Sequence, residues 1–326
     1  MKEEDIRKRE TFDRYLEMVK EDIAAFFHNH SGFIQIPCPA CGGREHILQF
    51  NKEGFDYVLC DVCDTLFVNP RPPFKLLADF YTQSPSTQFW INEFFKPVAE
   101  ARRIKMFRPR AEYVAQKFGN NPEWVVGDIG AGFGLFLEEL SKIWPSNKMV
   151  AIEPSEEMSE ICKSKGFKVL PCAIEDVDGW NEKFDLLTSF ELFEHLYDPA
   201  MFLRKAWELL RPGGMLLLTT LSGGGFDIQV LWDKSKSVSP PHHLNFFNPK
   251  SIRILLERCG FFVEEISTPG RLDLDIVEGM IRNDGIDAGR FWNLLSKEGT
   301  ETAKEELQEW ISKNNFSSHM RVLAKK

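Results

Sequence analysis

The sequence predicts a doubly wound α/β protein with a mostly parallel sheet, preceded by a small cysteine-rich module. Three observations predict it. From Trp124 onward, short runs of Val, Ile, Leu and Phe alternate with amphipathic stretches at helical spacing, and such alternation implies a parallel sheet with helices on both faces. The first of those runs leads into a glycine-rich turn, Gly130-Ala131-Gly132-Phe133-Gly134. Two Cys-x-x-Cys pairs stand close together between residues 33 and 70.

Each element follows in order. WVVGDI (124–129) reads as a buried strand and FLEELSKIW (136–144) as a helix. KMVAIE is a second strand, SEEMSEICKSK a helix and KVL a short third strand. FDLLTSF is the fourth strand; DPAMFLRKAWELL is a helix with Asp198 as N-cap and Pro199 at its first position. GMLLLTT is the fifth strand, and NPKSIRILLERC is a helix begun in the same way through Asn248 and Pro249. FFVEEIST is the sixth strand and MRVLAK the seventh. Together they make an α/β domain over 121–326, with a helical insert at 271–315 before the last strand.

Ahead of it, residues 1–32 form an N-terminal helical segment. Ile6, Phe12, Leu16, Val19, Ile23 and Phe26 recur at helical spacing within 4–29. Residues 33–73 hold the cysteines, several glycines and short β-like runs, closed by NPRPP (69–73). Residues 74–120 carry helical patterns, expected to be interrupted near Pro85, Pro97 and Pro109, and read as a linker or cap.

A length of 326 residues suits one large domain and a smaller module. With 40 Lys and Arg against 49 Asp and Glu, the net charge of −9 argues against nucleic acid as a partner. One local basic stretch, Arg102–Arg110, reads first as a solvated helix face. No run of about 18 apolar residues occurs, so no membrane insertion is expected. The start, MKEEDIRKRE, has no apolar signal core, and the expected location is the cytoplasm.

In a reducing compartment, paired cysteines read as metal ligands. Cys38-Pro-Ala-Cys41 and Cys60-Asp-Val-Cys63 are separated by 18 residues, the spacing of a zinc ribbon. Four thiolates close a tetrahedral shell around Zn²⁺ and leave no position for water, so the site is structural. Cys162, Cys172 and Cys259 read as packing residues.

Glycines in the first turn let the backbone bend tightly and approach a ligand. The second strand ends at Glu153, 25 residues after Asp128, where a carboxylate can accept from two ribose hydroxyls. This pairing serves either a dinucleotide or S-adenosylmethionine. A dinucleotide fingerprint needs its third glycine where Leu135 stands, and Asp128 would repel a pyrophosphate.

DIGAGFG (128–134) followed by AIEPS resembles the first two motifs of class I S-adenosylmethionine-dependent methyltransferases. CAIEDV (172–177), FDLLTSFELFEHLYDP (184–199) and LLRPGGMLLLTT (209–220) resemble the later motifs in the same order, and the likeness covers roughly 110–270. The resemblance implies a seven-stranded methyltransferase sheet. It further implies that Asp128, Gly130, Ala131 and Gly132 hold the methionine end of the cofactor, and that Glu153 binds the ribose with Pro154 beside it. Ile174 and Glu175 would contact the adenine, and Phe190 and Glu191 would line the pocket near the sulfonium. YVLCDVCDTLFVNPRPP followed by LLADFY resembles a leader found before many such domains. Sugar C-methyltransferases carry a similar zinc module that helps bind substrate, with a longer linker between its cysteine pairs.

Ligands of such sheets sit beyond the carboxyl ends of the strands. His195 follows the fourth strand and His242 and His243 follow the fifth, so these three are the candidates for a general base. SFEL stands where an amino-group methylase would carry an NPPY-type sequence. The expected activity is therefore methyl transfer to a hydroxyl or carbon of a small molecule, saccharide or lipid precursor. The alternatives are a nicotinamide-dependent oxidoreductase and a non-enzymatic zinc-ribbon interaction protein. Self-association is left open.

Overall fold

The computed structural model describes residues 2–145 and 148–326. They fall into two units. The first runs up to Val98 and takes in Leu221–Ile252 and Ser267–Met320; the second comprises Ala99–Thr220, Arg253–Ile266 and Arg321–Lys326.

In the first unit, helix α1 spans Arg9–Phe26, shorter than the 4–29 the periodicity predicts. Glu3–Asp5 is instead a separate 3₁₀ turn, closed by the Lys2 amide donating to Asp5 Oδ2 at 2.9 Å, a local side-chain bond that competes with helix continuation. Phe12, Tyr15, Val19, Asp22 and Ile23 are the buried face, so Tyr15 rather than Leu16 points inward. The buried Asp22 accepts from the Ser86 amide at 2.8 Å.

The cysteine-rich region forms β1 (His46–Lys52), β2 (Phe55–Cys60) and β3 (Leu66–Val68), each antiparallel to the next. Glu53 and Gly54 join β1 to β2 with φ of 49° and 86°, the pair of positive angles that a two-residue hairpin turn requires.

Helix α2 (Phe74–Gln83) ends at Ser84, whose side chain caps α3 (Pro85–Phe89) by accepting from the Thr87 amide. Breaks were expected again at Pro97 and Pro109, yet the helix carries on. A π-helical stretch at Trp90–Phe95 leads into α4 (Lys96–Arg102), and another at Arg103–Phe107 leads into α5 (Arg108–Phe118). The wider π turn absorbs the proline ring and its missing N–H without ending the helix.

The second unit holds β4 (Val126–Ile129), α6 (Leu135–Ile143), β5 (Met149–Ile152), α7 (Glu156–Ser164), β6 (Lys168–Leu170), β7 (Phe184–Phe190), α8 (Pro199–Leu209) and β8 (Leu210–Leu221). Asp198 caps α8 by accepting from the Met201 amide at 2.9 Å. The chain continues through α9 (Phe226–Leu231), β9 (Asn245–Phe246), α10 (Pro249–Arg258), β10 (Phe262–Ser267), the insert helices α11 (Asp273–Asp284), α12 (Arg290–Glu298) and α13 (Glu301–Lys313), and β11 (His319–Lys325).

The large sheet has seven strands in the order β10-β11-β8-β7-β4-β5-β6. The pairs β4–β5, β4–β7, β5–β6 and β7–β8 are parallel. Every residue of β4 and β5 is buried, as expected for strands covered on both faces. The chain moves from β4 outward to β6, then crosses to β7 on the other side of β4. That reversal is the topological switch point at which such sheets bind ligands. The fold class expected from the sequence is the one observed. The small sheet has the order β1-β2-β3-β9, so a segment from beyond β8 completes the ribbon.

Candidate active site and zinc centre

The carboxyl ends of β4, β5 and β7 lie side by side in the second unit, and the cofactor candidates cluster there. Gly130, Gly132 and Gly134 have φ of 70°, 54° and 66°. A Cβ on Gly132 would meet no atom within 4 Å, so the backbone there opens onto free space. Glu153 ends β5 with each oxygen already placed: Oε2 accepts from the Gly132 amide at 2.8 Å and Oε1 from the Ser155 amide at 2.9 Å. Each oxygen keeps a lone pair for a diol. Burial raises the Glu153 carboxyl while the two amides lower it. Pro154 beside it is exposed. A preset carboxylate beside an open glycine backbone fits a ribose diol.

Asp128 is fully buried and accepts from Thr188 Oγ1 at 2.7 Å. Burial pushes its carboxyl up to about 7, against the opposing pull of Thr188 and the Arg110 charge. The folded chain thus keeps a proton that the unfolded chain releases near pH 4. Stability is expected to fall as pH rises from about 4 to about 7, then to level off. Asp128→Asn should flatten that slope and stabilise the cofactor-free protein at pH 8 by on the order of 2 kcal/mol. Urea midpoints at pH 5 and pH 8 check this, and an unchanged slope would refute it.

Phe190, at the end of β7, stacks edge-on against Phe136 with centroids 4.6 Å apart. Glu191 follows with φ of 53°, and its Oε1 accepts from Arg110 Nη2 and Thr219 Oγ1, both at 2.7 Å. The Arg110 guanidinium also lies 5.0 Å from the centroid of Phe190. Arg110 therefore ties α5 to the end of β7, a role hidden in the sequence within a stretch read as a basic helix face. Its neighbours are likewise consumed internally, Arg103 by Glu138 and Glu100 and Arg108 by Glu139. Ile174 and Glu175 sit in a 3₁₀ turn after β6; Ile174 is buried, and burial raises the Glu175 carboxyl. His195 lies in the 3₁₀ turn after β7, with Nε2 4.0 Å from Oε1 of the buried Glu194, which accepts from Thr220 at 2.7 Å.

His242 and His243 belong to the first unit. His242 is buried between Phe80 and Tyr81, with ring centroids 5.2 and 5.3 Å away, and its Nε2 pairs with Tyr15 Oη at 2.9 Å. A box of aromatic rings with one hydroxyl partner accommodates this ring. His243 is half-buried, and its Nδ1 donates to the Ser237 carbonyl at 2.6 Å. A carbonyl only accepts, so Nδ1 must carry the hydrogen. In the neutral ring the lone pair is then on Nε2.

In the same unit, the sulfurs of Cys38, Cys41, Cys60 and Cys63 lie within 4.8 Å of one another and none is in a disulfide. Cys38–Cys63 and Cys41–Cys60 are each separated by 3.5 Å, close to the roughly 3.8 Å edge of a tetrahedron with ~2.3 Å metal–sulfur bonds. The Gly43 amide donates to Cys41 Sγ at 3.3 Å, and Thr65 Oγ1 lies 3.1 Å from Cys63 Sγ. The hydrogen bond with Cys38, aided by Thr65, holds the Cys63 thiol below the usual thiol range. The donor set fits a structural zinc ion.

A family profile described as a methyltransferase domain matches residues 99–266, more than half of the chain. The chain belongs to this methyltransferase family. It carries the methyltransferase domain together with an N-terminal zinc-ribbon-like module. The methyltransferase is 27% identical over 148 residues to a ubiquinone biosynthesis O-methyltransferase of Mesorhizobium japonicum, spanning 40% of this chain and 59% of that protein. A protein of the same name from Xanthomonas axonopodis pv. citri is 27% identical over 171 residues, 48% of this chain and 70% of that one. The methyltransferase partner in the complex with the Haloferax volcanii Trm112 methyltransferase activator is similar in fold. Its TM-score is 0.51 at 15% identity, over 72% of this chain and 95% of that one. Among the described residues, no helix of the methyltransferase is long and apolar enough to cross a membrane.

Proposed function

We propose that the enzyme methylates a proton-bearing oxygen or carbon of a small molecule, saccharide or lipid precursor, with His243 taking the proton. The carrying observation is the 2.6 Å bond from His243 Nδ1 to the Ser237 carbonyl. A hydrogen on Nδ1 puts the lone pair of the neutral ring on Nε2, which supports His243 as a general base. The names of the O-methyltransferase relatives favour a hydroxyl acceptor.

S-adenosylmethionine, when bound, supplies an electrophilic methyl group on a sulfonium. Asp128 and the Gly130-Ala131-Gly132 turn would hold its methionine end, Glu153 with Pro154 its ribose, and Ile174 and Glu175 its adenine. Phe190 and Glu191 would line the pocket near the sulfonium, and Arg110 keeps Glu191 in place. Buried His242 packs the loop that carries His243. Residues 33–73 form the zinc module, 74–120 a helical cap, and 121–326 the catalytic domain.

His243→Ala is expected to lower kcat by roughly 10²–10⁴-fold while leaving S-adenosylhomocysteine affinity unchanged. Transfer of a labelled methyl group to panels of phenols and sugars, compared with wild type, measures it. Full activity in the variant would sink the assignment of the base.

A further inference from the structure

The strand that follows His243 is part of the ribbon. Asn245 and Phe246 of β9 pair with Phe67 and Leu66 of β3, and the Val68 amide donates to the Leu244 carbonyl at 2.9 Å. Tyr57 of β2 is fully buried, and its hydroxyl donates to the carbonyl of His243 itself at 2.9 Å. Arg71, 1% exposed at the end of the ribbon, donates through Nε to the Val68 carbonyl and through Nη2 to the Asn245 side chain. On the far side of β9, Asn248 Nδ2 donates to the carbonyls of Cys63 and Asp64, each at 2.9 Å, and Lys250 Nζ to that of Val62 at 2.9 Å. Ribbon groups thus hold the backbone from His243 to Phe246, and the side chains of Asn248 and Lys250 reach back to ribbon carbonyls.

We propose that the ribbon is the positioning frame of the proton acceptor: Tyr57, Arg71 and Asn248 hold residues 243–248 so that the His243 ring keeps its orientation. This rests on the proposed role of His243. A buried carbonyl deprived of its donor costs free energy, so the segment shifts to recover a partner. A reactive group displaced by a fraction of an ångström loses rate rather than affinity. A ribbon that merely packed against the segment would have no need of a buried phenol aimed at that one carbonyl.

Tyr57→Phe tests the idea, because the ring and its stacking on Phe50 at 5.2 Å remain while the donor goes. Asn248→Asp removes the Nδ2 donor to the cysteine knuckle while keeping the Oδ1 that accepts from the Ser251 amide, and both variants should keep one zinc per chain. Two readouts need no acceptor substrate: amide exchange across 242–248, and the His243 tautomer by nitrogen NMR. Both variants should show at least tenfold faster exchange there, and Tyr57→Phe a mixture of tautomers. With an acceptor in hand, kcat should fall about tenfold with KM within twofold. Wild-type exchange and tautomer in both variants would overturn the proposal. So would a fall in kcat without faster exchange, or faster exchange with wild-type kcat. Loss of the His243 reading announces itself separately, through a fully active His243→Ala enzyme.

Discussion

Replacing Glu153 with alanine is expected to weaken S-adenosylhomocysteine binding by roughly 10²–10³-fold. Both carboxylate oxygens of Glu153 are preset by amide donors, from Gly132 and Ser155. Each would give the ribose one charge-assisted hydrogen bond, worth about 1.5–3 kcal/mol. The alanine also frees the Gly132 amide, loosening the turn that makes room for the ligand. Glu153→Gln should fall between, since an amide accepts on one side only. Calorimetric titration measures the affinities, and urea unfolding of the unliganded variant separates lost binding from lost fold. Wild-type affinity in Glu153→Ala would remove the ribose assignment.

The second large effect concerns the ribbon. Cys60→Ser should abolish stoichiometric zinc and unfold residues 33–70, while affinity for S-adenosylhomocysteine persists. Structural zinc contributes about 10–16 kcal/mol of apparent binding energy in small zinc modules, which is folding energy for a segment with little core of its own. The cofactor candidates lie in the other unit, on β4, β5 and β7, and keep their own core of Val126, Leu137, Leu140, Leu186 and Leu217. Elemental analysis and hydrogen exchange report the two arms. Wild-type protein purified without any bound zinc would end the metal assignment.

The glycine turn, the carboxylate beside it and the cysteine cluster were legible because their geometry is carried by local spacing. A turn needs glycine where φ is positive, as at Gly130 and Gly132. A tetrahedral shell needs two close pairs of thiols, and the sulfurs do converge. The seven strands were legible because alternation of strand and helix patterns admits few architectures. Helix continuity through Pro97 and Pro109 was not, since a π turn leaves no mark in apolar periodicity.

Residue identity alone thus determined the sheet, the glycine turn and the cysteine cluster. Only the tertiary structure decided which side chains serve them. Arg110 reaches Glu191 across 81 positions, Tyr15 reaches His242 across 227, and β9 joins a ribbon strand encoded far upstream. Periodicity records that a face is buried and says nothing of what it is buried against. A hydrogen bond between distant residues exists only once packing has closed the loop between them.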